Sequence, residues 1–306
     1  MNSFSAVIIR WFCEYGRDLP WRETKDPYAI WLSEIILQQT RIAQGWEYWE
    51  RFMKTYPKVE DLAAASEDDV LKLWQGLGYY SRARNLHTAA RQIVELGRFP
   101  DTLEGIKALK GVGDYTAAAI GSFAFDIPAA VVDGNVYRVL SRYFGIDTPI
   151  NSTQGKKEFA ALAQSLLPAS DAASYNQGMM DFGAIQCTPQ SPKCLVCPLA
   201  ETCEALRTGR VEELPVKNKT LKVKTRHLSY IYIRCKGDVA IHRRGEGDIW
   251  QGLWEPYNAS DALQLPAFVH NPLLLAKDVK HVLTHRILLA DFYLQETETR
   301  PLLPDD

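Results

Sequence analysis

Residues 187–203 read CTPQSPKCLVCPLAETC, a stretch with four cysteines in the pattern C-x6-C-x2-C-x5-C: Cys187, Cys194, Cys197 and Cys203. The spacers are short enough to wrap one metal centre, and prolines stiffen the turns between the ligands. Four thiolates are a ligand set of zinc or of a [4Fe–4S] cluster. A zinc site usually has two C-x2-C pairs, whereas this stretch has one. The pattern indicates a structural metal centre, because four protein ligands leave no open position for catalysis.

The alternative is that these cysteines form two disulfides. Two further cysteines, Cys13 and Cys235, lie elsewhere in the chain. Residues 1–18 contain only a short apolar run interrupted by Arg10, which is not a signal peptide, and no stretch approaches the length of a membrane span. Disulfides persist mainly in oxidising compartments. We therefore expect free thiols and a cytoplasmic, nucleoid-associated location.

The length and the composition predict two globular domains. The chain has 306 residues, of which 46% are hydrophobic and 24% are charged, an ordinary composition for a chain with proper cores. In residues 1–206, apolar side chains recur at helical intervals, and prolines separate the predicted helices. This part is predicted to be mainly α-helical.

In the second part of the chain, apolar residues recur at a different spacing. Residues 207–226 form a predicted basic linker, which is either a solvated connector or a segment that follows phosphates. From residue 227 to residue 306 the period changes to two, and we predict strands at 229–233 and 239–242 and at least one more within 282–293. The net charge is −2. Any affinity for nucleic acid must therefore come from local patches and backbone amides.

A second informative stretch is LKGVGDYTA at residues 109–117, followed by VVDGNV at residues 131–136. A Gly-x-Gly turn between two helical stretches can open the second helix with free amides, which makes an anion site. Most such turns only join helices. The longer strings, together with the cysteine spacing, resemble the helix-hairpin-helix, the catalytic aspartate and the cluster loop of the endonuclease III superfamily of DNA glycosylases.

This resemblance implies a [4Fe–4S] cluster on the four cysteines and a DNA phosphate held by the amides of Gly111 and Gly113. Tyr115 stands where bifunctional members carry a nucleophilic lysine, so the chain is not expected to form a Schiff base or to cut the strand by β-elimination. Lys110 replaces a proline that is common in the motif. We interpret it as a phosphate contact; the alternative is a relocated nucleophile.

Three more strings narrow the resemblance: LPWR at residues 19–22, WLSEIILQQT at 31–40 and GLGYYSRAR at 76–84. Glu34, among apolar neighbours, is by default an exposed or paired helix carboxylate; the alternative is a desolvated acid with a raised pKa. With all three strings present, residues 8–206 are similar to the MutY-type adenine DNA glycosylases, which favours the desolvated acid.

The family resemblance assigns roles to the candidate catalytic residues. Glu34 would protonate adenine at N7, and Asp133 would stabilise the oxocarbenium-like sugar electrostatically or through a covalent adduct. Tyr115 and Asn135 would hold the sugar edge. The simpler alternatives are that Asn135 caps a helix that begins near Val136 and that Asp133 supplies that helix's N-terminal charge.

The resemblance also assigns DNA-binding roles. Gln177 would read the hydrogen-bonding edge of the flipped adenine, Arg22 and Trp21 would wall its pocket, and Gln39 and Tyr79 would wedge into the base stack at the lesion. In any other chain, Gln39, Gln177 and Arg22 would pass as surface residues. Tyr79 could equally be a core aromatic, although the flanking glycines predict an exposed loop tip.

Residues 227–306 resemble the Nudix-like α+β domain with which this family reads the lesion. The clearest string is DIWQGLWE at residues 248–255, and no metal-binding Nudix box follows it. The lesion-reading loop corresponds to Leu283, Thr284 and His285, where leucine replaces the family's aromatic residue; the alternative is that Thr284 and His285 are ordinary strand residues. The chain ends at Asp306, earlier than such a domain normally does, which predicts a truncated domain.

Three functions compete at this point. The first is a monofunctional glycosylase that, as a monomer, excises adenine opposite 8-oxoguanine or guanine in double-stranded DNA during base excision repair. The second is a bifunctional glycosylase/lyase of the endonuclease III type, against which Tyr115 argues. The third is a non-catalytic DNA-binding or electron-transfer iron–sulfur protein, against which the presence of both Glu34 and Asp133 argues.

Overall fold

The computed structural model describes residues 3–218, 223–259, 269–283 and 286–301. These residues divide into two compact units, Met1–Asn218 and Lys219–Asp306. The division falls inside the predicted linker. Residues 207–218 pack on the first unit, where Leu214 is buried and the Ile150 amide donates to the Val216 carbonyl. No helix within the described ranges is long and apolar enough to cross a membrane.

The first unit is helical, as the apolar spacing predicts. Three 3-10 turns, at Pro20–Arg22, Cys194–Val196 and Ala200–Thr202, and a π turn at Phe182–Gln186 accompany the α-helices. The α-helices are α1 (Ser3–Tyr15), α2 (Pro27–Ile36), α3 (Ile42–Thr55), α4 (Val59–Ala64), α5 (Glu67–Leu73), α6 (Ser81–Glu95), α7 (Leu103–Lys107), α8 (Asp114–Phe125), α9 (Gly134–Phe144), α10 (Thr153–Leu166), α11 (Ala172–Asp181) and α12 (Glu204–Arg207).

Helix α2 lies in the interior of the first unit. Apart from Ser33 and Glu34 its side chains are apolar or aromatic, and every residue from Tyr28 to Ile36 is buried. Asp26 caps its first turn by accepting from the Tyr28 amide at 3.0 Å, and Pro27 begins the helix. Because α2 packs against α3, α6 and α8, a carboxylate in its second half is placed inside the protein.

A second core forms where α1, α9, α10 and α11 meet. Its buried side chains include Ile8, Trp11, Leu140, Phe159 and Met179 from these helices and Phe182 from the π turn that follows α11. Trp11 packs edge-on against Phe182 with ring centroids 4.9 Å apart. This core fixes the C-terminal end of α11 and the N-terminal end of α9, both of which border the candidate site.

The second unit is a mixed β-sheet whose strand order is β3-β4-β1-β6-β5, with β2 paired to β1. Strands β1 and β6 are parallel, and the remaining pairs are antiparallel. The sheet confirms the strand predicted at 229–233 and the one predicted within 282–293, whereas the single strand predicted at 239–242 is broken at Ala240 into two short strands. The strands are β1 (Lys224–Cys235), β2 (Asp238–Val239), β3 (Ile241–Arg243), β4 (Trp254–Asn258), β5 (Leu273–Val282) and β6 (Arg286–Thr297).

Strand β1 is central and buried on both faces. Leu228 and Tyr230 pack on one face with Leu288, whereas Ile231 and Ile233 pack on the other. The sequence predicts an α+β domain here, and the described residues of this unit contain strands and no helix.

Candidate active site

A cavity of about 500 Å³ opens in the first unit. Six parts of the chain border it: the 3-10 turn Pro20–Arg22 with the residues before it, helix α2, the loop from α2 to the first residue of α3, helix α8, the start of α9 with the segment before it, and α11 with the turn that follows it. The predicted residues on its wall are Trp21, Arg22, Glu34, Gln39, Tyr115, Asp133, Asn135 and Gln177. The structure therefore brings together in one cavity residues that are distant in the chain.

Glu34 is the buried acid of this cavity. Its side chain lies in the second half of α2 and is 7% exposed. Burial raises the pKa of Glu34 to about 7, against lowering effects from a hydrogen bond with Tyr115 and from the charge of Arg22. A carboxyl group with this pKa is substantially protonated near neutral pH and can donate a proton.

Tyr115 lies in the first turn of α8 and faces Glu34. Burial raises its pKa well above the usual value, and the nearby carboxyl groups of Glu34 and Asp133 add to the effect. The phenol therefore stays neutral, and its hydroxyl lies 3.6 Å from the Met180 sulfur. A neutral hydroxyl at this place can orient a carboxyl group.

Asp133 is held in one orientation at the N-terminus of α9. Its Oδ1 accepts from the amides of Asn135 and Val136 at 2.9 and 2.8 Å, and its Oδ2 accepts from Asn135 Nδ2 at 2.8 Å. Burial raises the pKa of Asp133, and these hydrogen bonds offset part of that rise. The helix begins at Gly134 and its cap is Asp133, so the alternative in which Asn135 caps a helix from Val136 is wrong.

Asn135 is in turn held by Arg138, whose Nη2 donates to Asn135 Oδ1 at 2.7 Å. The same guanidinium donates from Nε to the Cys187 carbonyl at 2.8 Å. One buried arginine on α9 therefore connects the Asp133 side of the cavity to the start of the cysteine stretch. The sequence analysis did not identify Arg138, which lies one helical turn beyond Gly134.

Arg22 pairs with a carboxylate that the sequence analysis also missed. Its Nη1 and Nη2 donate to Oδ2 and Oδ1 of Asp181, each at 2.8 Å. Arg17 reaches the same carboxylate through its amide at 2.9 Å and its Nε at 3.0 Å. Asp181 lies one helical turn after Gln177 on α11, and that spacing is the one sequence signal that could have indicated it.

Trp21 and Gln177 complete the wall. Trp21 is buried and packs edge-on against Trp46 and Trp49, with ring centroids 5.9 and 5.7 Å apart. Gln177 is partly buried on α11 and faces the cavity. Gln38, also on the wall, lies 3.3 Å from the Thr116 hydroxyl through Nε2. The rim therefore combines a rigid aromatic side with amide groups that can donate and accept hydrogen bonds.

Two strained loops lie beside the cavity and are joined by Arg82. Gln39 and Tyr79 both have positive φ angles, +56° and +47°, and Tyr79 is 45% exposed. The buried Arg82 guanidinium donates to the carbonyls of Ile35 and Ile36 at the end of α2 and of Gln38 in the loop that follows, and to the carbonyls of Leu77 and Gly78 in the other loop. Left-handed backbone in non-glycine residues persists only where neighbouring contacts enforce it.

The glycine turn has the predicted form of a helical hairpin. It joins α7 to α8, and Gly111 has a φ of +79°. A Cβ at Gly111 would come within 2.7 Å of Asn85, so glycine is required on both counts. Gly113 is the N-cap of α8 and offers no side-chain cap, and Lys110 nearby is exposed. The first amides of α8 therefore remain available for an anion.

The four cysteines of residues 187–203 line one small cavity with Arg142. All four are free thiols. Arg142 Nη1 lies 3.4 Å from the Cys187 sulfur and 2.7 Å from the Thr188 carbonyl. In the described ranges, no group of three or more His, Cys, Asp or Glu side chains is already arranged around a single metal ion. The donor set fits a thiolate-bound cluster, since four sulfurs converge on one cavity beside a cation.

In the second unit, the DIWQGLWE segment surrounds a buried ionic network. Arg244 is 4% exposed in its side chain and pairs with Glu255 and Asp248. Trp250 lies over its guanidinium, 5.5 Å from the carbon to the ring centroid.

Thr284 and His285, the predicted lesion readers, lie outside the described residues, so their assignment stays a prediction.

Comparisons with known proteins agree with the fold of the first unit and with the cysteine stretch. A model described as HhH-GPD superfamily base excision DNA repair protein matches residues 32–168, and one described as the iron-sulfur binding domain of endonuclease III matches residues 187–203. The solved structure of a thermostable thymine-DNA glycosylase has a TM-score of 0.63 at 35% identity, with 67% of this chain and 95% of that chain covered. A non-covalent endonuclease III–DNA complex, at 21% identity and a TM-score of 0.58, shares the fold and covers 68% of this chain and 99% of that one. The class is thus a helix-hairpin-helix protein of base excision DNA repair.

Similar proteins of known function identify the family within this class. The adenine DNA glycosylase of Buchnera aphidicola subsp. Acyrthosiphon pisum (strain APS) is 38% identical over 256 residues, which cover 82% of this chain and 73% of that protein. The adenine DNA glycosylase of Mus musculus is 42% identical over 229 residues, which cover 70% of this chain and 44% of that protein. The chain belongs to the adenine DNA glycosylase family.

Proposed function

We propose that this protein is a monofunctional glycosylase that hydrolyses the N-glycosidic bond of adenine placed opposite 8-oxoguanine or guanine in double-stranded DNA. The observation that carries the proposal is the pair of carboxyl groups in one cavity, with Glu34 desolvated and Asp133 fixed by three hydrogen bonds. A protonated acid and an ionised carboxylate at one site are what acid-catalysed glycosidic cleavage needs.

The first step is protonation and bond cleavage. Glu34 gives its proton to N7 of the extruded adenine. The bond between the sugar carbon and the base then breaks, and its electron pair leaves with the adenine, which departs neutral. The sugar is left as an oxocarbenium-like cation, and the Asp133 carboxylate stabilises it, either electrostatically or through a transient covalent bond.

The second step is addition of water. The water oxygen bonds to the sugar carbon, and its proton passes to the Glu34 carboxylate, which restores the acid. Tyr115 and Asn135 keep the two carboxyl groups in their places throughout, since they hydrogen-bond Glu34 and Asp133 respectively. Among the described residues that line the cavity, none is a lysine. A Schiff base and β-elimination are therefore not part of the proposed reaction.

The adenine must be extruded, because its glycosidic bond is unreachable in the duplex. The extruded base would then contact Gln177, Arg22 and Trp21. The base stack at the lesion would be filled by Gln39 and Tyr79. The amides of Gly111 and Gly113, with Lys110, would hold a backbone phosphate. The positive φ angles of Gln39 and Tyr79 support this role, since strained backbone clusters at functional sites.

We assign the lesion contacts to the second unit, which we interpret as Nudix-like, with Thr284 and His285 reading the opposite base. We further infer that the four cysteines hold a [4Fe–4S] cluster, which would supply a rigid thiolate-bound centre for the loop. A reducing, nucleoid-associated location follows from a DNA substrate and four free thiols. One cavity holds the whole catalytic set, which supports action as a monomer.

The experiment that tests this function is a single-turnover base-release assay on matched duplexes. We expect adenine release to be fastest opposite 8-oxoguanine, slower opposite guanine and slowest opposite cytosine. A duplex with thymine opposite guanine is the control for the thymine-DNA glycosylase similarity. Borohydride should trap no protein–DNA adduct. Preferential release of thymine, or a borohydride-trapped adduct, would contradict the proposal.

A further inference from the structure

The Asp181 carboxylate is enclosed between two arginines at the edge of the catalytic cavity. It ends α11, and its side chain is 0% exposed. Arg17 and Arg22 both line the cavity, whereas Asp181 lies behind them. Asp181 has no part in the reaction proposed above, and a fully buried carboxylate needs a reason for its place.

The contacts of Asp181 fix Arg22 in orientation and position. Both terminal nitrogens of Arg22 donate to it at 2.8 Å, which is the parallel two-bond arrangement that sets a guanidinium plane. Arg22 Nη1 also donates to the Arg17 carbonyl at 2.9 Å. Burial alone would raise the pKa of Asp181, but hydrogen bonds from Arg22 and Arg17 lower it to about 2. The carboxylate is therefore ionised at neutral pH.

Glu34 lines the same cavity, and the positive charge of Arg22 lowers its pKa. The groups that act on Glu34 come from three elements: Arg22 from the 3-10 turn, Tyr115 from α8 and Asp133 from the start of α9. Of these three described residues, Arg22 is the one that carries a positive charge. An arginine free to turn toward a buried carboxylate would pair with it and favour its ionised form.

We propose that Asp181 is a positioning residue that holds Arg22 in an ion pair. This pairing keeps Arg22 from pairing with Glu34. Glu34 therefore keeps the proton that it must donate. The inference rests on the proposed function, in which Glu34 is the acid. Asp181 lies behind the cavity wall, and it acts on Glu34 through Arg22, whose charge reaches Glu34, rather than through its other partner Arg17. The carboxyl groups of Asp181 and Glu34 thus compete for the guanidinium of Arg22.

The test is the pH dependence of adenine release by the full chain under single-turnover conditions, from about pH 5 to about pH 9. In the wild type, the rate should fall on the alkaline side as Glu34 loses its proton. In Asp181→Asn, which keeps the shape and removes the charge, the midpoint of that fall should move about one pH unit lower. A lower plateau with an unmoved midpoint would mean that Asp181 only supports the fold, and would overturn the proposal.

Two further variants make the result independent of how well Asp181→Asn folds. Arg17→Gln removes the cation that shares Asp181 with Arg22, so its alkaline midpoint should move to higher pH; an unmoved or lower midpoint contradicts the proposal. In an Arg22→Gln background, adding Asp181→Asn should leave the midpoint unchanged, because the competing guanidinium is gone. A further shift in that background would show that Asp181 does not act through Arg22.

Asp126→Asn is the matched control. Asp126 pairs with Lys25 on the exposed surface, and the substitution changes the net charge by the same amount, so its midpoint should equal that of the wild type. The failures are distinguishable. A wild type that releases no adenine refutes the proposed function, and release without an alkaline fall refutes Glu34 as the acid. Release with that fall but without the shifts refutes the role of Asp181.

Discussion

Asn135 Nδ2 donates to Asp133 Oδ2 at 2.8 Å, while the two amides that follow Asp133 take its other oxygen. The side-chain amide of Asn135 is therefore the one described donor to the carboxylate oxygen that the helix N-terminus does not use. Because hydrogen bonds to an ionised carboxyl group lower its pKa, Asn135 sets how far the pH can fall before Asp133 is protonated.

We expect Asn135→Ala to move the acid side of the pH–rate profile to higher pH. Burial already raises the pKa of Asp133, and loss of the Asn135 hydrogen bond raises it further, so activity should disappear at a higher pH as the solution is acidified. Single-turnover adenine release measures this. Asn151→Ala is the control, because Asn151 bonds the Asn218 carbonyl on the exposed surface. An unmoved acid side would refute this role of Asn135.

Glu34→Gln should bind duplex DNA normally and release adenine about 10²–10⁴ times more slowly, since general acid catalysis is worth that much. The alkaline fall of the wild-type profile, expected near the Glu34 pKa of about 7, should also be absent. Base release and a gel-shift titration on the same duplex separate chemistry from binding. Turnover close to that of the wild type would show that another group is the acid.

The same substitution should stabilise the protein at alkaline pH. The pKa of Glu34 rises from 4.5 to about 7 on folding, so the native state loses stability as the pH rises between those values and Glu34 ionises. The gain in Glu34→Gln should be small near pH 5 and reach at most about 3 kcal/mol above pH 7. Thermal unfolding midpoints at the two pH values measure it. A gain that is equal at both would mean that Glu34 does not titrate in this range.

Arg82→Lys should slow adenine release by about ten- to a hundredfold, because lysine keeps the charge but cannot reach five carbonyls at the end of α2 and in the two loops. The effect should act through Gln39 and Tyr79. In a Tyr79→Ala background, Arg82→Lys should therefore cost much less, as a double-mutant cycle of release rates would show. Arg91→Lys, on the same helix α6, is the control. Fully additive effects would mean that Arg82 does not position Tyr79.

The purified protein should be brown and contain about four irons per chain, as a [4Fe–4S] centre on four cysteines requires. Cys194→Ser should lose iron and impair folding or DNA affinity, whereas Cys13→Ser, outside the loop, should keep both iron and activity. Iron analysis and visible absorption are the measurements. One zinc per chain in protein expressed with adequate iron would contradict the assignment.

Much of the site could be predicted because the family strings are local. The strings around Glu34, Tyr115 and Asp133 indicated the residues that line the cavity, and the structure places all three on its wall. Arg17, Asp181, Arg138 and Arg82 were not predicted. Each of them has at least one hydrogen-bond partner far away in the sequence, and no spacing rule connects an arginine at 17 or 22 with an aspartate at 181.

The sequence by itself determined the helical and strand periods, the glycine turn of the hairpin and the ligand set of the cysteine stretch. Those features depend on local backbone freedom, on side-chain periodicity and on the chemistry of neighbouring residues. The tertiary structure alone decided how far the pKa of Glu34 is raised, the orientation of Asp133 and the pairing of Arg22 with Asp181. Burial and charge are properties of the space around a side chain, and that space is filled by helices from every part of the first unit.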